Sequence, residues 1–267
     1  MSGISSKLRR CSSALLLTSL AVAAVSASGR GVNAQQPQAS KNYTTPIPEE
    51  IFTPDTVKTS AGTFRFFDGM PDEATVRTSF DNLKFIRAYE TFLTLMPAAS
   101  IEMLRHGHAE VGVDDHTKVA LMSPLNSNPL FLTGNTDTVY GSTFFNLQDT
   151  GPMVIEIPAG LGPGTINDAF FRFVADTGAP GPDKGKGGKY LILGPDDAQP
   201  SNVDDYFVFR SPTYSNWLIL RAFLDSNGKP DKAIANYEKG LRLYPYSQKG
   251  NPPQMSFIKV GEKVFNT

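Results

Sequence analysis

Asn135, Asp137, Thr138 and Tyr140 stand close together in the run FLTGNTDTVYGST at 131–143. A carboxylate beside an amide and two hydroxyls could hold a polar ligand. It could also abstract a proton, with Asp137 as general base and Tyr140 as its orienting partner. The same residues equally suit an Asp–Thr turn that caps a strand, with the tyrosine hydroxyl satisfied nearby. If Thr138 to Leu147 is a strand, the period of two puts Thr138, Tyr140, Ser142 and Phe144 on one face, and Val139, Thr143, Phe145 and Leu147 on the other. Arg172 and Arg210 lie in the aromatic-rich runs AFFRFVA and YFVFR. A buried arginine there needs a carboxylate or a ligand, though alternation equally lets both point to water. With Tyr214, these complete the expected ligand-binding set: Asn135, Asp137, Thr138, Tyr140, Arg172, Arg210 and Tyr214.

The glycine-rich run GPDKGKGGKY at 181–190 carries Lys184, Lys186 and Lys189. Its spacing is not that of a nucleotide phosphate loop, because Tyr190 and a strand pattern follow where a Ser or Thr and a helix belong. It remains a candidate anion-binding loop through its amides and charge, or a solvated loop between strands. His106 and His108 would pair on a strand but fall about 200° apart on a helix, so no metal site is expected. His108 continues an apolar helical face, and His116 follows Asp114 and Asp115 in a loop. No serine-hydrolase elbow, zinc-protease motif or cofactor signature occurs, and no cofactor is expected.

The elements that must position these residues are legible in part. Pro71 suits a first helical turn, with Asp72 and Glu73 behind it where the helix dipole favours acids. Val76, Phe80, Leu83, Ile86, Tyr89, Leu93 and Met96 come next at helical spacing, and Pro97 marks an end. A second helix from about Ala98 to Ala109 would complete a helical hairpin over 72–109, with Phe80, Leu83, Tyr89 and Leu93 packed onto a β-module. That module is read from 117 to 224, in the short β-rich runs KVALM, TVYGSTFFNL, MVIEI, AFFRFVA, KYLIL, YFVFR and WLILRAFL, divided by Gly, Pro, Asn and Asp. No helix separates them, which favours a mostly antiparallel β-sandwich or jelly roll over alternating βα units. A final helix is expected over 231–243, where the DKAIANYEKGLRLYP run looks like a lone half of a tetratricopeptide repeat without a second copy. A tail occupies 251–267. The fold class is thus α+β: helical hairpin, β-module, C-terminal helix.

The first 34 residues are different in kind. A basic stretch with Lys7, Arg9 and Arg10 precedes an apolar run from Ser12 to Ala27, and Val32-Asn33-Ala34 offers a small-residue cleavage site before Gln35. This is the pattern of a secretory signal peptide; the run is too short for the ~20 residues that span a bilayer, so no transmembrane anchor is expected after cleavage. Gln35 to about residue 55 reads as a flexible leader and 56–267 as one domain. The only cysteine, Cys11, precedes the apolar run, so the mature chain would lack disulfides. Cleavage removes Lys7, Arg9, Arg10 and Arg30, leaving 21 basic against 26 acidic side chains, a balance of −5. Such a chain has no nucleic-acid footprint. The expected location is periplasmic or secreted.

The succession of GNTDTVYGSTFFNLQDTGPMVIEIPAGLGPGTINDAFFRFV, GPDKGKGGKYLILGP and RSPTYSNWLILRAFL resembles the bacterial family called domain of unknown function 1254, over most of residues 60–265. In that family the Asn-x-Asp-Thr-x-Tyr run is a hallmark, matched by Asn135, Asp137, Thr138 and Tyr140. The basic-glycine loop matches Gly181 to Tyr190, and an Arg-Ser-Pro-Thr run matches Arg210 to Thr213. The resemblance implies export and a β-rich, jelly-roll-like module, and no established reaction. Relatives normally continue into a companion β-domain, domain of unknown function 1214, whereas this chain stops at Phe265-Asn266-Thr267. The resemblance therefore implies self-association or a companion β-domain at the C-terminus. The functional expectation is an exported envelope protein that binds a small ligand or a partner through a polar pocket around Asp137 and Tyr140. The alternative is an extracytoplasmic hydrolase with Asp137 as general base.

Overall fold

The structure, a computed structural model, describes residues 46, 48–51, 54–123 and 134–260. The expected signal peptide, most of the leader and the end of the C-terminal tail lie outside them. The chain divides into two units, Met1–Pro54 and Asp55–Thr267. In the first, the described residues include a 3₁₀ turn at Glu49–Ile51. The second is a mixed α/β unit dominated by largely antiparallel sheets, with three helices among the described residues.

It begins with a small antiparallel sheet of β1 (Thr56–Thr59), β2 (Gly62–Phe67) and β3 (Met70–Pro71). Asp72 then caps α1, Glu73–Glu110, its carboxylate accepting from the Thr75 N–H at 2.6 Å. Where the sequence suggests a hairpin broken at Pro97, one 38-residue helix runs straight through that proline. A proline inside a helix loses one backbone bond and costs about 3 kcal/mol relative to alanine. Here the docked last turns, around Ile101, Leu104 and His108, hold the helix on the far side of Pro97.

Six strands form the larger sheet, in the order β13-β4-β5-β11-β7-β8: β4 (Lys118–Met122), β5 (Thr138–Asn146), β7 (Gly164–Asp168), β8 (Phe173–Thr177), β11 (Ser215–Phe223) and β13 (Ser256–Lys259). The second sheet has the order β10-β9-β6-β12, built from β6 (Met153–Ile157), β9 (Gly188–Leu193), β10 (Phe207–Arg210) and β12 (Arg242–Pro245). Among the described residues the pairings β13–β4 and β10–β9 are parallel and the others antiparallel. One shared core joins the sheets: Val119, Leu121, Val139 and Leu218 from the larger, Ile155, Tyr190, Ile192 and Leu243 from the smaller. A one-turn helix, α2 (Leu147–Thr150), comes directly after β5. A third helix, α3 (Asp231–Gly240), drives Tyr237 into this core. The Tyr237 hydroxyl accepts from the Gly141 N–H at 3.1 Å, and a Cβ at 141 would sit 2.4 Å from the tyrosine ring, so that position admits only glycine. The helix expected to reach 243 ends at Gly240, because Leu243 and its neighbours pair with β6 as β12 instead.

Length decides where α1 can pack. Thirty-eight residues make a rod of about 57 Å, whereas the nine-residue β5 and β11 extend about 30 Å. The last turns of α1 reach the larger sheet, burying Ile101 and Leu104 with Phe144 and Trp217. The rest overhangs. The expected contacts of Phe80, Leu83, Tyr89 and Leu93 with the β-module do not form, and these side chains are 59, 40, 58 and 46% exposed.

Candidate functional site

On β5 the period of two divides the side chains as its sequence indicates. Val139 and Phe145 enter the core shared by the two sheets, as does Leu147 just past the strand in α2, while Tyr140, Ser142 and Phe144 point the other way. That second face is covered. Tyr140 is buried with Val113, Ala120, Met122 and Val260, and its hydroxyl accepts from the Asn135 N–H at 2.9 Å. Ser142 lies beneath the end of α1, completely buried, as is His108 at 1% exposure. His108 Nδ1 is 2.8 Å from the Leu104 carbonyl, which can only accept, so Nδ1 carries the proton and Nε2 accepts from the Ser142 hydroxyl at 2.8 Å. Trp217 Nε1–H donates to the same Ser142 Oγ at 2.8 Å. A serine facing an imidazole has the form of a nucleophile and its base. Here a backbone carbonyl, not an acid, orients the imidazole, and the indole occupies the serine oxygen. The group pins α1 to the sheet. Burial pushes the His108 pKa down to about 4, so the ring is neutral at physiological pH.

The other expected site residues are dispersed. Asp137 is exposed at the start of β5, and Thr138 behind it is buried. Arg172 ion-pairs with the buried Asp168 at 2.6 Å at the tip of the β7–β8 hairpin, where Asp168 also accepts the N–H groups of Phe170 and Arg172 at 2.8 Å. Asn216 of β11 pairs with Asp168, and Phe223 with Thr138, so Arg172 and Asp137 lie at opposite ends of the larger sheet, about 25 Å apart. Arg210, in the other sheet, donates to the carbonyls of Gly194, Pro195 and Asp197 at 2.6, 3.1 and 2.8 Å. Tyr214 donates to Asp196 at 2.6 Å. Both residues fasten the 194–197 loop. Among the described residues, then, Arg172 stands far from Asp137 and Tyr140, and Arg210 and Tyr214 are taken up by the 194–197 loop.

The glycine-rich loop folds around its own carboxylate. Asp183, 4% exposed, accepts the Gly187 N–H at 3.1 Å and the Tyr190 hydroxyl at 2.7 Å. An internal acid thus takes the amide that an external anion would need. Lys184 and Lys186 are exposed, and Lys189 ion-pairs with Glu156 at 3.2 Å.

A different set of side chains converges. Between the end of α1, the loop at 111–117 and the α2 end of β5 lies an open cleft of about 630 Å³, lined by Glu102, Arg105, Asp114, Asp115, His116, Phe144, Asn146 and Asp149 among others. Four carboxylates line it with one guanidinium, and the Lys118 ammonium bound to Asp114 and Asp115 brings the formal balance to −2 with His116 neutral. Arg105 binds Glu102 through two hydrogen bonds, at 2.8 and 2.6 Å, and holds its carboxyl below the usual range. Burial raises the Asp115 pKa, but the Thr117 hydroxyl and N–H and the Lys118 ammonium outweigh it and keep the carboxyl ionised. Lys118 also pairs with Asp114. Asn146 caps α2 and donates to Asp149 at 2.8 Å. Burial lowers the pKa of His116 against the pull of Asp115. The sequence shows the Asp114-Asp115-His116 run, but Glu102 and Asp149 join it only through the fold. Among the described residues no cluster of His, Cys, Asp and Glu has metal-binding geometry, and no helix is long and apolar enough to cross a membrane.

No curated protein matches the chain. Among solved structures, the VPA0106 protein from Vibrio parahaemolyticus is similar, at 15% identity, a TM-score of 0.43 and 61% of this chain covered; the match spans 39% of that protein's chain. Residues 116–245, the stretch from the cleft histidine through β12, match the family model described as "Protein of unknown function (DUF1254)".

Proposed function

We propose that the protein is exported and acts outside the cytoplasm as a binding protein for a small, positively charged ligand. The ligand site is the acid-lined cleft around His116, not the Asp137 end of β5. The two sheets with their shared core are read as a sandwich of jelly-roll type that holds the cleft open at one end. One observation carries the reading: four carboxylates and one arginine line a cleft of about 630 Å³, within the usual size range for small-molecule sites of roughly 300–1,000 Å³. Ionised carboxylates around a partly apolar floor favour an organic cation, whose charge meets the acids while its carbon skeleton covers Phe144.

The test uses protein recovered from the envelope fraction, whose N-terminus by mass spectrometry should be Gln35. Thermal shifts are measured with linear diamines, guanidinium compounds, neutral sugars and dicarboxylates at equal ionic strength. A ligand near a hundred times its dissociation constant adds about 2.7 kcal/mol, so a cation that fits raises Tm by several degrees. Asp115→Asn combined with Asp149→Asn should abolish that rise. Stabilisation by dicarboxylates instead, or a cation shift unmoved by the double substitution, overturns the assignment. An intact Met1 in the cytosol overturns export.

A further inference from the structure

The middle of α1 carries a seam that none of the described residues covers. Phe85, Tyr89, Phe92, Met96, Ala99 and Met103 recur at alternating steps of four and three residues. That is the 3.5-residue period of a helix built to lie against another helix. The seam faces away from the sheet. Met103 and the buried Ile101 are two positions apart, so their side chains diverge by about 200°. Phe85, Tyr89 and Phe92 are 72, 58 and 64% exposed. Phe92, Met96, Ala99 and Met103 help line a shallow apolar groove of about 460 Å³.

Area and sequence together select the occupant. At about 150–250 Å² for a whole aromatic side chain, the exposed apolar groups of α1 leave on the order of 1,000 Å² open. That exceeds the several hundred Å² of a soluble monomer's patch and meets the roughly 800 Å² that each partner contributes to a stable interface. A heptad seam needs a helix with a matching seam. Among the described residues α1 is the helix that carries one, α3 being ten residues long and committed to the core through Tyr237.

We propose that α1 pairs with α1 of a second copy of this chain, antiparallel, about a two-fold axis near Thr94. Direction is set by side-chain size. Antiparallel pairing about that point sets Phe85 against Met103, Tyr89 against Ala99 and Phe92 against Met96: large rings meet a small side chain or flexible thioethers, which pack well on aromatic edges. A parallel pair would stack ring on ring at one end and leave alanine facing alanine at the other.

The experiment is sedimentation equilibrium of the full chain with Phe92→Glu beside it. Phe92 is 64% exposed, so the substitution should leave the fold intact, which circular dichroism checks. The wild type should be a dimer. Phe92→Glu should weaken association by at least about a hundredfold, because it would bury a charge at the helix contact. Disulfide trapping reads direction: in a Cys11→Ser background, mixing Tyr89→Cys with Ala99→Cys copies should give the heterodimer, and neither variant alone should cross-link efficiently. A wild type that is monomeric throughout, or a dimer indifferent to Phe92→Glu, overturns the proposal. So does flotation with anionic vesicles by a monomeric wild type and not by Phe92→Glu, which would make a lipid surface the occupant. Trapping of Tyr89→Cys with itself overturns the antiparallel arrangement.

Discussion

Residues 55–100 and residues 118–245 are both rich in aromatic and aliphatic side chains, and they use them in opposite ways. In the β-body most strand positions are buried, and residues such as Val119, Ile155, Tyr190 and Leu220 have almost no exposed surface. In the stretch from β1 to the middle of α1, Thr75 alone is buried. The body closes because two sheets present apolar faces to each other. The N-terminal arm has one helix and a three-stranded sheet of short strands, with no second layer to close on. Polar joints hold it together instead: Arg65 N–H donates to Thr75 Oγ1 at 2.7 Å, and Asn82 donates to the Ala61 carbonyl at 2.8 Å. Apolar content alone therefore does not make a core. A second surface must be within reach.

The widest contrast should appear in side-chain truncations. Ile155→Ala removes buried carbon from the centre of the shared core and should cost about 2–5 kcal/mol in urea denaturation. Leu83→Ala, 40% exposed on the arm, should cost less than about 1 kcal/mol when measured at concentrations low enough to keep the chain monomeric. Equal costs would mean that the arm has a core of its own.

The joint between the two regions should show itself in pH. His108 ties the last turns of α1 to Ser142, and its folded pKa of about 4 lies below the ordinary 6.5. As pH falls through 6.5, the unfolded chain takes up a proton that the folded chain refuses until about pH 4. The contribution is therefore complete above pH 6.5, declines between 6.5 and 4, and is gone below. At about 1.4 kcal/mol for each pKa step of one, the total is about 3 kcal/mol. In His108→Gln, which keeps a donor for Leu104 and an acceptor for Ser142 without titrating, that part of the acid loss should vanish, so the two stability curves should converge toward pH 4. Parallel curves from pH 7 to 4 would show that His108 is already hydrated in the folded protein.

The body was the more legible region from sequence, for the same reason. The strands KVALM, MVIEI and KYLIL stand out because each is a short apolar run between turn residues, and the period of two along Thr138–Asn146 assigns both faces of β5. The C-terminal limit of α3 did not stand out: Leu241 and Leu243 suit a helix face as well as a strand, and the pairing with β6 decides. The arm misled at Pro97, where a local rule for helix ends gives way to the docking of the turns beyond it. Among site residues, Arg172 finds the carboxylate its run calls for only four positions away, at Asp168, which the sequence reading did not single out. The partners of Arg210 were not readable, since they are backbone carbonyls. The cleft was half visible. His116 beside two aspartates is a local signal, but Glu102 and Asp149 reach it from a helix and a turn whose meeting depends on the whole sheet.

The smallest effect should come from loosening the arm where it is hinged to itself. Asp72 is the N-cap of α1, and its carboxylate, held below the usual pKa range by the Thr75 N–H and hydroxyl, satisfies one of the first free N–H groups of the helix. Replacing such a cap with alanine costs about 1 kcal/mol. If the arm were cooperative with the body, Asp72→Ala would lower the global unfolding free energy by that amount. If the arm is held only by its polar joints, the loss stays local: amide exchange should quicken in the first turns of α1 and in β2 by about fivefold, while the slowest amides of β5, β6 and β11 keep their rates. Because Thr75 also accepts from Arg65, a second variant, Thr75→Val, should reproduce this pattern and extend it to β3 through the lost tie to β2. Uniform acceleration in both regions would show that the arm and the body unfold as one, and that the contrast in burial between them does not divide their stability.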